Sequence, residues 1–192
     1  LFVDEIVHQS SQGSGTITLG ASGETISVPT GASLTVPNGG LSGQNYPAFR
    51  AYLSSDQTGL GSGTLYKVTF QSETYDTDNC FDSTTNYRFT PTVAGKYFFN
   101  YQVYMSSSGG ASNLYITRVN AQKNGSSNII FKQTDFSSNP ISNNGFNGSG
   151  TVDMNGSSDY LEIYARGDTG SGTVTLISGE ANTFFEAYRI GA

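Results

Sequence analysis

Tryptophan is absent from this 192-residue chain, cysteine and histidine occur once each, and charged residues make up only 12%. Each scarcity closes off a class of chemistry. With Cys80 as the sole cysteine no intrachain disulfide can form, and an unpaired cysteine usually behaves as a small buried hydrophobe. His8 and Cys80 together fall short of a zinc ligand set. A Ser-His-Asp or Cys-His device would have to recruit His8 from far along the chain, so a catalytic role is not expected. Nine Lys and Arg against fifteen Asp and Glu, a net charge of −6, leave no clustered positive charge for a nucleic-acid groove. No run approaches the roughly 20 apolar residues of a membrane-spanning helix, so no membrane insertion is expected. Only 5 prolines occur, without a Gly-X-Y period, which excludes a collagen-like stalk.

Small polar residues and aromatics fill the space. Gly, Ser, Thr and Asn together supply 86 residues, while 12 Tyr and 12 Phe carry enough apolar surface to offset chain entropy. Strong helix formers are scarce, so the composition reads as all-β. Residues 1–12 form a short mixed segment. In 13–46 a pattern recurs: Thr16-Ile17-Thr18-Leu19-Gly20, Thr25-Ile26-Ser27-Val28-Pro29 and Ser33-Leu34-Thr35-Val36-Pro37. Each unit alternates polar and apolar residues but offers too few for an independent core. Copies from several chains wrapping into a thin stalk explain the paired apolar residues; a flexible linker is the alternative. From Pro47 onward about ten short strands are expected, at 48–54, 64–71, 86–90, 95–106, 113–123, 128–134, 150–154, 159–166, 172–178 and 183–190. Asn124-Gly125 and Asn155-Gly156 signal hairpins. Such a run indicates a β-sandwich or jelly roll over 47–192.

The segment 70–101 spaces Phe70, Asp76, Phe81, Phe89, Gly95, Tyr97, Phe99 and Tyr101 in a way that resembles the globular heads of complement's first component and their tumour-necrosis-factor-like relatives. One extra residue stands between Phe81 and Phe89 compared with that pattern. Asn124-Gly125, the run Val152 to Ile163 and the ending Phe185-Glu186-Ala187-Tyr188-Arg189-Ile190 extend the resemblance over 47–192, with Ala187 where glycine is commoner. It implies a jelly-roll head of antiparallel strands that assembles as a homotrimer. Tyr97, Phe99, Tyr101, Phe185 and Tyr188 are the expected core or trimer aromatics. Alternation in 95–106 agrees: Tyr97, Phe99, Tyr101, Val103 and Met105 share one face, and Phe98, Asn100, Gln102 and Tyr104 the other. A short leader, Gly/Thr repeats and a jelly roll together are similar in layout to fibre and tail-tip proteins of bacterial viruses.

Two candidate sites follow. Asp76, Asp78 and Asp82 form the densest acidic cluster, which could offer oxygens to calcium or be a solvated loop; no other cofactor is expected. The polar stretches 106–112 and 137–150 read as exposed loops, with Ser107, Asn143, Phe146 and Asn147 as candidate receptor contacts. Asn124, Asn147 and Asn155 each begin an Asn-Gly-Ser sequon, read as turns. The expected protein is a trimeric virion surface protein, held to other virion proteins through residues 1–40, whose head binds a host cell-surface glycan or protein. A purely structural decoration or filament, or a secreted bacterial matrix or spore-surface trimer outside the cell, is the alternative.

Overall fold

A computed structural model describes residues 28, 30–32, 46–108 and 112–191. The expected attachment segment 1–12 and nearly all of the 13–46 repeat region lie outside the described residues. The chain divides into two compact units between Ser42 and Gly43, and the fold below is that of the second.

Thirteen strands and no helix occur among the described residues, so no helix there is long and apolar enough to cross a membrane. In chain order they are β1 (Ala48–Tyr52), β2 (Gln57–Leu60), β3 (Tyr66–Lys67), β4 (Ser72–Asp76), β5 (Phe81–Asp82), β6 (Arg88–Phe89) and β7 (Gly95–Ser107). The second half adds β8 (Leu114–Lys123), β9 (Ser127–Asp135), β10 (Asn143–Met154), β11 (Leu161–Thr169), β12 (Val174–Leu176) and β13 (Phe184–Gly191). All pairings are antiparallel, in two sheets. β7 is the spine of the first: β10 follows one of its edges from Gly95 to Ser106, while β13 and then β12 share the other. β1 and β4 continue beyond β13, and β2 lies outside β12. The second sheet runs β5-β6-β11-β8-β9, with β3 beside β11. Successive strands keep switching sheets, which is the winding of a jelly roll.

The core lies between the sheets and is mainly aromatic. Phe49 stacks on Phe81 at 4.6 Å and on Phe89 at 4.8 Å, and meets the edge of Phe185 at 4.9 Å. Tyr97, Phe99, Tyr101, Val103 and Met105, alternate residues of β7, are all fully buried. Gly95 opens β7 at φ +146°, and a Cβ there would strike the Gly191 carbonyl where β13 ends. Glycine is therefore required at the start of the spine.

Two expectations are corrected. The stretch 137–150 is not one loop, because β10 begins at Asn143, seven residues ahead of the expected strand. Its glycines are filled by rings of β7: a Cβ on Gly148 would lie 2.5 Å from the Tyr101 ring, and one on Gly150 3.2 Å from that of Phe99. Asn155-Gly156 is not a hairpin turn but the passage from β10 in one sheet to β11 in the other, whereas Asn124-Gly125 does join paired strands, β8 and β9.

Tyr101 carries the one tyrosine hydroxyl that is buried without a hydrogen-bond partner among the described residues, and burial pushes its phenol up to about 12. Removing an unpaired buried polar group relieves a desolvation penalty of about 1–3 kcal/mol. Tyr101→Phe is therefore expected to hold or raise the thermal midpoint. A fall of several degrees would mean that the hydroxyl has a partner.

Candidate functional site

The outer face of the first sheet is a lattice of rings around a polar row. Parity along each strand sets it: with Phe49, Ala51, Phe99, Tyr101, Phe185 and Ala187 turned inward, their neighbours must turn out. In register across β4, β1, β13 and β7, one row reads Tyr75, Arg50, Glu186, Asn100. On one side lies Tyr52, Phe184, Gln102, and on the other Ala48, Tyr188, Phe98. Phe98 and Tyr188 pack with centroids 5.5 Å apart, and the Arg50 guanidinium sits 4.0 Å over the Phe184 ring. Arg50 pairs with Glu186, whose other oxygen accepts from Asn100 Nδ2 at 2.9 Å. Tyr75 is 44% exposed, and the other rings of the face are half-buried. Since its charges already satisfy one another, this face can be dehydrated by a partner without stranding an ion.

The five aromatics expected in the core or trimer contact are thus divided. Tyr97, Phe99, Tyr101 and Phe185 belong to the chain's own core, and Tyr188 alone lies on the outer face. Phe98, Tyr52, Tyr75 and Phe184 join it there; the alternation in 95–106 signals Phe98, but nothing local marks the rest.

The acidic cluster does not converge. Asp76 accepts from the N–H groups of Phe81 at 2.8 Å and Cys80 at 3.0 Å, anchoring the start of β5. Asp78 accepts from the Tyr46 hydroxyl at 2.5 Å and from Thr92. Asp82 closes the β5–β6 loop by accepting from Thr84, Thr85 and Asn86. Protein donors thus occupy all three carboxylates, and among the described residues no group of three acids, His or Cys could hold a metal ion. A cleft of about 530 Å³ opens here, lined by Glu73, Asn79, Asp82, Asn86 and Arg88 among others. The Cys80 thiol on its wall is pushed up by burial and by Asp76, which disfavours the thiolate.

The Thr85 N–H and its neighbours hold the Asp82 carboxyl well below the ordinary range. A carboxylate depressed by folding adds stability at neutral pH that is lost as pH falls from about 4 through the folded value. Asp82→Asn is expected to cost about 1 kcal/mol at neutral pH, after allowance for solvent screening, and to flatten the acid limb of the stability profile. Denaturant titrations at pH 7 and in acid check this; parallel profiles for the two proteins would contradict it.

The four candidate receptor residues fall on strands, not loops. Ser107 ends β7, and Asn143, Phe146 and Asn147 lie in β10. Phe146 is 8% exposed and belongs to the core, because the parity that buries Val152 and Met154 also buries position 146. Asn143 and Asn147 are exposed on the outer side of β10, with Asn147 opposite Gln102 at the end of one aromatic row.

The fold so described is a two-sheet antiparallel jelly-roll sandwich of the complement-head and tumour-necrosis-factor type. Among solved structures it is similar to the globular domain of zebrafish complement 1qA protein, at 15% identity and a TM-score of 0.51 over 75% of this chain and 96% of that one. It is also similar to murine APRIL, at 9% identity and a TM-score of 0.52 over 75% of this chain and 98% of that one. No protein-family model matches the sequence, and no curated protein does. At such identities the likeness is one of fold.

Proposed function

We propose that this chain provides the head of a homotrimeric surface protein that recognises a partner outside the cell by binding rather than catalysis. The observation that carries the reading is the ring lattice of Tyr52, Tyr75, Phe98, Phe184 and Tyr188 around the neutralised Arg50–Glu186 pair. A contiguous aromatic face of this kind marks an association surface. The sequence resemblance to trimeric complement and tumour-necrosis-factor heads supports three as the number of copies. Three weak sites per trimer then gain strength through multivalency.

The finer setting is a virus particle, with residues 1–40 joining the head to other virion proteins and the head meeting a host cell. Its support is the sequence layout of leader, Gly/Thr repeats and jelly roll. Chemical cross-linking of dilute full chain, read on a denaturing gel, should give a ladder ending at three copies; a ladder ending at one or two contradicts the assembly. Added chain should compete with particles for host cells. Absence of competition at saturation would remove the host-binding part and favour a purely structural decoration.

A further inference from the structure

The outer face of the second sheet lies opposite to the ring lattice and would remain outward in an assembly built on that lattice. In register across β3, β11, β8 and β9, one of its rows reads Lys67, Tyr164, Asn120, Phe131, and the next reads Arg166, Arg118, Gln133. Most of its charged groups are paired. Lys67 and the Tyr164 hydroxyl both bond Glu162, Arg166 grips Asp168 through two bonds of 2.7 Å, and Asp135 accepts from Ser137 N–H at 2.8 Å. Arg118 is the exception. It stands opposite Arg166, has no ion pair or hydrogen bond among the described residues, and sits 5.1 Å over the Phe131 ring. Phe131 itself is 53% exposed.

A second, independent observation lies two residues along the same face of β8. Asn120 is 2% exposed, donates from Nδ2 to Asn128 Oδ1 at 3.0 Å, and leaves its own Oδ1 without a partner. The Nε of Arg118 is likewise buried and unpartnered. An orphaned donor and an orphaned acceptor on adjacent outward positions of one strand are expensive in a folded protein and need an explanation. An external ligand that supplies both missing partners gives one.

We infer that this face binds a carboxylate-bearing sugar, with Arg118 taking the carboxylate, Phe131 the C–H face of the ring, and Asn120 Oδ1 a ligand hydroxyl. A free guanidinium wants an anion, and with Arg166 held by Asp168 and Lys67 by Glu162, Arg118 is the cation of this face that has no carboxylate bonded to it. A half-exposed ring beside it favours a ligand with an apolar face, and the amide oxygen requires a donor. A sugar acid combines all three, whereas a simple carboxylate lacks two and a neutral sugar lacks the first. The inference gives a ligand class to the recognition role proposed above and rests on it.

Titration of the full chain with sodium glucuronate and with sodium N-acetylneuraminate, followed by ligand-observed NMR, tests the site and tells the two sugar acids apart. Glucose and acetate are the controls. At least one sugar acid should bind saturably and about tenfold or more tightly than either control, as one charge-assisted contact warrants. Arg118→Gln and Phe131→Ala should each weaken it about tenfold at an unchanged melting temperature. Phe131 is exposed, so its variant carries the test if Arg118→Gln fails to fold. Saturation by neither sugar acid, equal binding of glucose, or unchanged binding by the folded variants would overturn the site. Light scattering on the same samples keeps the readings apart: a trimer that binds no sugar acid overturns this inference alone, and a monomer that binds one overturns the assembly alone.

Discussion

Phe49→Ala is expected to destabilise the folded chain by about 3–5 kcal/mol, a large share of the roughly 5–15 kcal/mol that holds a domain together. The residue is fully buried where β1 of the first sheet meets the β5–β6 hairpin of the second. Three rings lose a partner at once, two of them stacked at interplanar angles of 11° and 25° and the third meeting it at 82°. Aromatic pairs add about 0.5–1.5 kcal/mol each beyond area burial, and the cavity left by the ring adds to the loss. The denaturant midpoint should fall with little change in slope. A loss below about 1 kcal/mol would show that the aromatic cluster does not hold the sheets together.

Phe98→Glu is expected to do the reverse: leave the fold intact and separate the assembly. Phe98 points away from the core, 5.5 Å from the Tyr188 ring. A carboxylate placed there costs an isolated chain little, because it faces water. In an association face it sits unpaired among rings and close to Glu186, and buried unpaired charges are strongly unfavourable. Truncating an aromatic anchor at the centre of an interface typically costs about 2 kcal/mol or more, which is about thirtyfold in affinity. The variant should therefore scatter light as a single chain while melting as one cooperative unit. A variant that stays trimeric would move the association to another face, and one that unfolds would assign Phe98 to the fold.

The fold is largely legible in the sequence because β-strand parity is a strong signal. The run from Gly95 to Ser107 alternates so regularly that its inward and outward residues separate by position, and the structure places them so. What escapes is strand structure made by neighbours. The glycines and asparagines of β10 look like a loop because the side chains that fill that strand, Tyr101 and Phe99, belong to β7. β2, β4 and β5 are not among the expected strands either: they are short, and their pairing depends on β12, β1 and β6, not on their own alternation. Conversely, Val68 and Phe70 are buried as parts of an expected strand should be, yet only Tyr66–Lys67 of that stretch pairs as one.

The sites are less legible than the fold. Acid density at Asp76, Asp78 and Asp82 suggests a shared cation, but Asp76 and Asp82 accept from N–H groups of their own loops and Asp78 from hydroxyls of Tyr46 and Thr92. Sequence spacing cannot show that, since it depends on where the backbone turns. Arg118, Asn120 and Phe131 carry no local signal for the same reason: they meet only through the β8–β9 register, and only the folded arrangement reveals which polar atoms lack partners.

Association through the outer face of the first sheet is the central claim, and the mass of the full chain in dilute solution tests it most directly. Light scattering should give three times the 20.4 kDa chain mass, independent of concentration over a wide range. A value of 20.4 kDa at all concentrations would contradict it, and the ring lattice around Arg50 and Glu186 would then need another partner.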